Sequence, residues 1–240
     1  MTNYSDSLET RFEAKIRDLS RRLAAAEQQI ANLTFGSVVC TSTTHPTPVT
    51  GMRILETDTG LEAYWNGSAW VYPRQLIAKT VLSTTQASIP FTVPSGPAWS
   101  VLRVAWSVRS DNASPATFMC VRLNNDSSND YLWQNSQAHD AASGPGNSGA
   151  ATNLVEVGTM AAATATSGYV GAGEFVIPNA SGTTFKGTPG HSTSMNAVND
   201  GYSGTYGGLW LQSVAVTSVT LLPLNGNFIG GSAAYLYGET

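Results

Sequence analysis

The chain has 240 residues, of which only 12% are charged, and its formal net charge at pH 7 is −4. Because it carries no basic patch, nucleic acid is not an expected partner. It has no run of about 18 apolar residues, so we expect no membrane span, and its first residues lack the apolar segment of a secretory signal. Its two cysteines, Cys40 and Cys120, match no metal-binding spacing and are expected to be reduced thiols.

Residues 8–34 contain apolar residues at alternating spacings of three and four, which is the pattern of a coiled coil. The a positions hold Ile16, Leu23 and Ile30, and the d positions hold Phe12, Leu19, Ala26 and Leu33. Most of the other positions are polar, so a single helix would leave its apolar stripe uncovered. The sequence therefore predicts a helical stem that associates with copies of itself.

The composition of this stripe favours three chains. Ala26 and Phe12 at d positions depart from the combination of Ile at a and Leu at d that is typical of dimers. The segment from Arg22 to Glu27 also resembles a trimer signature, in which Arg22 at g pairs with Glu27 at e of a neighbouring chain. The alternative is a lone amphipathic helix that packs on its own domain.

Composition divides the chain into three parts. Residues 1–36 are interpreted as an N-terminal anchor and stem, residues 37–75 as a connector with a small β-meander, and residues 76–240 as a β-sandwich head. The connector contains His45-Pro46-Thr47-Pro48, and its prolines favour an extended path. The meander is predicted to have three strands, the last two joined by Asn66-Gly67 as a two-residue hairpin turn.

The head is predicted to consist of strands without helices. Residues 100–109 show the period of two expected of a half-buried strand, since Leu102, Val104 and Trp106 fall on one face. The predicted strands are Leu76–Leu82, Ala87–Val93, Ser100–Arg109, Thr117–Leu123, Tyr131–Gln134, Leu154–Met160, Tyr169–Pro178, Leu209–Leu222 and Asn227–Tyr237. Residues 135–152 and 179–208, rich in Gly, Ser, Asn and Thr, are predicted to be long loops. The expected fold class is therefore mainly β, with a jelly-roll-like β-sandwich as its largest part.

Two tyrosines in the second predicted loop are the candidate ligand-binding residues. Tyr202 and Tyr206 lie among glycines, and exposed aromatic rings on a pliable loop can stack on sugars or grip another protein. The same rings can instead pack under the loop or between subunits. Asp126 and Asp130 are a second candidate, either as oxygen ligands of a hard cation or as parts of a polar turn.

The sequence contains no arrangement typical of an enzyme. His45, His139 and His191 all lie in predicted loops and form no metal-binding motif. His139 is followed by Asp140, but no nucleophile motif accompanies the pair. We therefore expect neither catalysis, nor a cofactor, nor a resident metal.

Several segments after residue 36 occur together in a recognisable combination. They are Thr50-Gly51-Met52-Arg53-Ile54 with Asp58-Thr59-Gly60 and Trp65-Asn66-Gly67, then Leu102-Arg103-Val104, Val121-Arg122-Leu123-Asn124-Asn125-Asp126 and Asn227-Phe228-Ile229-Gly230-Gly231. The first group resembles a small module of minor tail and fibre proteins of tailed bacteriophages, and the others are similar to the C-terminal domain of the same proteins. The resemblance implies a trimeric component of the virion surface or tail, and it carries over no catalytic residues.

The resulting hypothesis is a tail-fibre or tail-tip protein that projects β-sandwich heads, with host-surface attachment as their role. Its expected partners are two further copies of itself, other virion proteins at the N-terminus, and a glycan or protein of the host surface. Assembly is expected in the cytoplasm of the bacterial host. The alternatives are a fibre or decoration protein of the capsid and a carbohydrate-binding module.

Overall fold

A computed structural model describes residues 3–34, 37–95, 97–140, 142–143 and 146–240, and it describes the helical side chains of residues 12–27. The chain divides into two compact units, Met1–Val71 and Tyr72–Thr240. The protein is mainly β, with one helix among the described residues.

The first unit begins with helix α1, Asn3–Thr34. Neither glycine nor proline interrupts this segment, which is rich in Ala, Leu, Arg, Glu and Gln, and these residue types favour helix. At 1.5 Å per residue the helix is about 48 Å long. All its described side chains, from Phe12 to Glu27, are exposed. No helix in the described part of the chain is long and apolar enough to cross a membrane.

A small four-stranded sheet completes the first unit. Its strands are β1 Val38–Cys40, β2 Arg53–Glu56, β3 Glu62–Trp65 and β4 Trp70–Val71, in that order across the sheet. The last three form the antiparallel meander that the sequence predicts, and β1, which pairs parallel to β2, comes from the segment predicted to be a connector. Met52, Ile54, Leu61 and Ala63 form its buried apolar side.

The turn between β3 and β4 differs from the prediction. Four residues, not two, separate the paired Trp65 and Trp70. The side-chain Oδ1 of Asn66 accepts hydrogen bonds from the backbone amides of Ser68 (2.9 Å) and Ala69 (2.8 Å), and Gly67 alone in this turn has a positive φ. The Asn66 side chain thus closes the loop itself, so a tighter turn with two residues at positive φ is not needed.

The second unit contains fourteen strands among its described residues. They are β5 Gln75–Val81, β6 Ile89–Thr92, β7 Val101–Val108, β8 Ala116–Leu123, β9 Tyr131–His139, β10 Ala142–Ser143, β11 Asn147–Thr152, β12 Val155–Ala161, β13 Gly171–Pro178, β14 Lys186–Gly187, β15 Gly190–Ala197, β16 Asp200–Trp210, β17 Ser218–Pro223 and β18 Ala233–Glu239.

These strands form two sheets that face each other. The larger has ten strands in the order β10-β9-β16-β15-β13-β7-β18-β5, with β11 beside β9 and β14 beside β16. The smaller has the order β12-β8-β17-β6. Strand β12, buried along its whole length, packs against β9, β13, β15 and β16 of the larger sheet. The core between the sheets includes Leu102, Val104, Met119, Val121, Leu123, Tyr131, Val157, Phe175, Ile177, Leu221 and Leu236.

Glycines make room for the largest side chains in this core. A Cβ atom added at Gly158 of β12 or at Gly173 of β13 would overlap the Trp106 ring, and one added at Gly238 of β18 would overlap Trp99. Close packing of bulky rings against bare backbone explains why these strands contain glycine.

The prediction of two long loops in the head is wrong. The segment 135–152 contains the end of β9 and strands β10 and β11, and the segment 179–208 contains β14, β15 and most of β16. Conversely, the predicted strand Leu209–Leu222 divides into the end of β16 and β17, and the predicted strand Asn227–Tyr237 starts only at Ala233. Small residues at packed positions gave these strands the composition of loops.

Candidate functional site

The structure places the predicted stem residues on the surface of the chain. Phe12 is 69% exposed and Leu23 is 60% exposed, and Ile16 and Leu19 are also exposed. Ala26, Arg22 and Glu27 are exposed as well. The side chains of Ile30 and Leu33 lie outside the described residues. None of the residues that the structure describes covers the described part of the stripe.

The two candidate tyrosines lie on strand β16, not on a loop. Their segment pairs with β9 on one side and with β15 on the other. Tyr206 is only 4% exposed, and its hydroxyl oxygen lies 2.7 Å from Oγ1 of Thr159 on the smaller sheet. The prediction of a surface-exposed ring is therefore wrong for Tyr206. Burial raises the pKa of its phenol, and hydrogen bonds with Thr159 and Ser192 offset part of this rise.

Tyr202 lies on the same face of β16 as Tyr206 but near the start of the strand. It is partly exposed, and its ring stacks on the imidazole of His139 with 4.2 Å between centroids and 4° between planes. Nε2 of His139 lies 2.8 Å from Oδ1 of Asp200 and 3.5 Å from Oδ2 of Asp140. Burial, followed by the charges of Asp200 and Asp140, raises the pKa of Tyr202.

This His139 cluster has the ligand types that a divalent cation uses. One ligand atom each from His139, Asp140 and Asp200 lies within 4.8 Å of the others. All three side chains already make contacts within the protein, because Asp200 accepts from His139 and Oδ1 of Asp140 accepts from the amide of Gly201 at 2.9 Å. These contacts account for the arrangement as a link between the ends of β9 and β16.

The other predicted cation candidate is a hydrogen-bonded turn. Oδ2 of Asp126 accepts from Nε1 of Trp210 at 2.7 Å, and Oδ1 accepts from the backbone amide of Ser128 at 2.9 Å. Oδ2 of Asp130 accepts from Oγ of Ser128 at 2.9 Å and from Nε2 of Gln212. The carboxylates are thus satisfied by protein donors, as expected of a polar turn.

A groove not foreseen from the sequence lies on the opposite face of the larger sheet. We call the face that packs on the smaller sheet the inner face and the other the outer face. Side chains alternate between the two faces along a strand, so the neighbours of Tyr206 and Trp210 in β16 point outward. The outer groove has a volume of about 820 Å³, and its outward-pointing residues are Leu132, Gln134 and Ser136 of β9, Ser148 and Ala150 of β11, and Thr205, Gly207 and Leu209 of β16.

Strand pairing sets the order of chemical groups along the outer groove. Leu132 pairs with Leu209 at one end, and Ser136 pairs with Thr205 at the other. Gln134 lies between them, flanked by Gly207 on one side and Ser148 on the other. The groove thus grades from an aliphatic end to a hydroxyl-bearing end. All of the described residues that line it are uncharged.

Glycine gives the outer groove its depth. Nothing lies within 4 Å of the position that a Cβ of Gly207 would occupy, so a larger residue there would project into open space. At Gly149 of β11, by contrast, an added Cβ would overlap the indole of Trp133, which pairs with Gly149 and faces inward with it. Bare backbone lets a bound molecule approach the outer face at Gly207 and lets the indole approach the inner face at Gly149.

Buried polar contacts hold the strands beneath the groove in register. On the inner face, Nδ2 of Asn135 donates to Oε2 of Glu156 at 3.1 Å. The Tyr206 hydroxyl donates to Oε1 of Gln137 at 3.1 Å in addition to its contact with Thr159. Since β9 and β16 are tied to β12 by these bonds, the groove rests on a rigid base.

The alternation Leu132, Gln134, Ser136 is visible in the sequence and could have pointed to this face. The predicted strand ended at Gln134, however, and the glycines of β16 concealed the opposite wall of the groove. Pairing of β9 with β16 was therefore not expected, and a site that depends on that pairing was missed.

Comparison with known proteins gives no family for this chain. No protein-family model matches it, and no curated protein matches it. Among solved structures, the galectin LEC-6 of Caenorhabditis elegans aligns with 68% of this chain and 95% of its own, at 12% identity and a TM-score of 0.28. The CBM2 module of the evolved Dit of Lactobacillus casei BL23 phage J-1 aligns at 11% identity over 85% and 87% of the two chains, with a TM-score of 0.16. A structure of the infectious bursal disease virus Gt strain aligns at 11% identity over 77% and 50%, with a TM-score of 0.13.

Proposed function

We propose that this chain is a structural protein of a tailed-bacteriophage virion, a trimeric tail-fibre or tail-tip component that presents β-sandwich heads on a coiled-coil stem. The observation that carries the proposal is the exposed apolar stripe of α1. Phe12, Ile16, Leu19 and Leu23 follow the heptad spacing and are covered by none of the described residues. Burying each such side chain is worth about 1.5–3 kcal/mol, which sister copies of the helix can supply.

Three chains fit the stripe better than two. Ala26 and Phe12 occupy d positions where a dimer favours Leu. Arg22 and Glu27 are both exposed beside the stripe, as a pairing between neighbouring chains requires. We also propose that the two face-to-face sheets of the head have the jelly-roll-like connectivity that the sequence predicts.

Three heads on one stem would act by multivalency. Once one head has bound a host surface, the other two are held close to it, so that weak contacts combine into firm attachment without new chemistry. In this proposal the segment before the stem contacts other virion proteins, the heads face the host, and assembly takes place in the bacterial cytoplasm. The tail is favoured over the capsid because of the resemblance to minor tail and fibre proteins.

The mass of the full chain in solution tests the stem. We expect three copies by light scattering for the unaltered protein and a lower mass for the double variant Ile16→Asp/Leu23→Asp, because charges at a positions cannot be buried in a seam without partners. The matched control is Ala24→Asp/Ala25→Asp, which adds the same charge to the same helix at the b and c positions, outside the a and d positions, and should keep three copies. A monomeric unaltered chain, or a trimeric double variant, would refute assembly by the stem.

The place in the virion needs its own measurement. Antibodies against the head, used to label purified particles of a phage that encodes this chain, should decorate the tail. Labelling of the capsid would instead support the alternative of a capsid fibre or decoration protein. Particles that lack the chain altogether would contradict the structural role.

A second candidate function is favoured by the outer groove. An uncharged cleft of about 820 Å³ on a rigid sheet has the size of sites that hold small molecules. A carbohydrate-binding module is the alternative to which this observation belongs, and it is compatible with an attachment role.

A further inference from the structure

We infer that the outer groove binds an uncharged oligosaccharide, with the sugar lying across β11, β9 and β16. The inference rests on the attachment role proposed for the head and gives it a ligand class and a place. It moves the ligand-binding site from Tyr202 and Tyr206, expected from the sequence, to the opposite face of the same strand.

The dimensions of the groove suit a short chain of sugar rings. Neighbouring strands are about 4.8 Å apart, so the three strands span about 10 Å between the outer pair. Along β16 the lining runs from Thr205 to Leu209, which is about 13 Å at 3.3 Å per residue. The opening is therefore wider than a single side chain and longer than one sugar ring.

The polar groups match sugar hydroxyls. Gln134 offers an amide that both donates and accepts, and Ser136, Ser148 and Thr205 offer hydroxyls that do the same. All four lie on the outer face and are exposed. A ligand with many hydroxyls finds partners for both its donors and its acceptors here, whereas a ligand that only accepts would leave half of these capacities unused.

The apolar groups match the C–H surfaces of sugar rings. Leu132 and Leu209 form the aliphatic end, with Leu209 42% exposed. A sugar ring can place its C–H surface on these two side chains and its hydroxyls on the polar groups of the groove. Gly207, without a side chain, leaves the floor beside Leu209 open.

The absence of charge among the described lining residues selects the ligand class. An anionic polymer gains from Lys or Arg, and none of these residues lines the groove. An acidic lining that would attract a cation is lacking in the same set of residues. A neutral sugar is the ligand that uses all of the groups present and needs none that is missing.

The test is binding of the full chain to a printed array of neutral gluco-, galacto- and N-acetylhexosamine oligosaccharides beside sialylated and sulfated ones. We expect retention on one neutral class and none on the anionic glycans. The strongest neutral oligosaccharide on the array then serves as the titrant in calorimetry. The variant Gly207→Leu places a side chain in the open floor, and its Cβ would have no atom within 4 Å, so it should weaken the affinity for that oligosaccharide by about tenfold or more.

The matched control is Ser107→Leu, on the outer face of β7 between Ala172 and Ala233 and three strands away from β16. It should change the affinity by less than about twofold. Retention on no neutral glycan, retention on anionic glycans alone, or equal affinities for the unaltered chain and Gly207→Leu would each overturn the inference. A thermal melt of Gly207→Leu checks that its fold is intact, and Thr205→Ala, which deletes a lining hydroxyl on the surface, gives a second reading of the same site.

Failure of this inference can be told apart from failure of the proposed trimer. Calorimetry with one soluble oligosaccharide measures each head by itself, so Ile16→Asp/Leu23→Asp should bind it as the unaltered chain does. If that variant loses retention on the array but keeps its affinity in solution, the groove binds sugar in each head and the stem supplies the multivalency. If the unaltered chain has the mass of a trimer but binds no sugar, the proposed stem is supported and the proposed sugar site in the groove is refuted.

Discussion

Glu156 places a carboxyl group between the two sheets of the larger unit, where the residue is only 4% exposed. Nδ2 of Asn135 donates to it, yet burial outweighs that bond and raises its pKa from 4.5 to about 7. The folded protein therefore holds this proton more tightly than the unfolded chain. Below pH 4.5 the group is protonated in both states and costs nothing, and above pH 7 the folded state contains a buried charge.

Stability should accordingly fall as pH rises between these values. The shift corresponds to a loss of up to about 3 kcal/mol in the free energy of unfolding by pH 8, and Glu156→Gln should remove most of this pH dependence, since a neutral amide keeps an acceptor for Asn135. Urea unfolding at pH 4 and pH 8, followed by tryptophan fluorescence, measures it. The exposed Glu62→Gln is the control and should leave the dependence as it is. Identical pH profiles for the Glu156→Gln and unaltered chains would contradict this account.

At the scale of the element, strand β16 shows how adjacent glycines can have opposite roles. Gly208 faces inward, where an added Cβ would overlap Cγ1 of Val155 and lie 2.7 Å from the carbonyl oxygen of Leu132. Gly207 faces outward into open space. The identity of Gly208 is thus dictated by the opposite sheet, and that of Gly207 is free as far as packing is concerned.

Alanine at each position tests this reading of β16. Gly208→Ala should lower the free energy of unfolding by about 1–3 kcal/mol, because the overlap involves backbone and a buried side chain that cannot move away. Gly207→Ala should leave it unchanged or raise it by up to about 1 kcal/mol, since alanine restricts the unfolded chain more than glycine does. Urea midpoints of the two variants give the comparison. Equal effects would mean that this segment does not form the strand described.

The same strand explains what the sequence can and cannot predict. The sequence predicts strand β7 almost to the residue because Leu102, Val104 and Trp106 mark its buried face with large apolar side chains. In β16 the inward positions 204 and 208 are glycines, so the period of two is hidden, and the volume that fills the space comes from Val155 and other residues of different strands. A local sequence pattern cannot indicate packing that residues from distant strands supply. The outer groove depends on the pairing of β9 with β16, so a sequence that does not predict β16 does not predict the groove either.

At the scale of the whole molecule, the two units bury their apolar residues in different ways. The unit Tyr72–Thr240 encloses its own core, whereas the described part of α1 in the other unit presents Phe12, Ile16 and Leu23 to solvent. An isolated helix gains little stability from propensity alone and depends on packing of its apolar face. In the proposed trimer, the stability of α1 is therefore a property of the assembled chains, and that of the head is a property of each chain.

Amide hydrogen exchange at two protein concentrations should reveal this difference. A structure that forms only on association becomes more protected as concentration rises, by mass action, whereas a self-contained domain does not. Peptides from residues 12–27 should exchange more slowly in the concentrated sample, and peptides from β12 and β16 should exchange equally in both. Ile16→Asp/Leu23→Asp should abolish the dependence in the helix. If exchange in the helix peptides of the unaltered chain does not depend on concentration and light scattering finds a monomer, sister copies do not cover the stripe. If the β12 and β16 peptides gain protection together with the helix, the heads also contribute to association and the stem is not its sole cause.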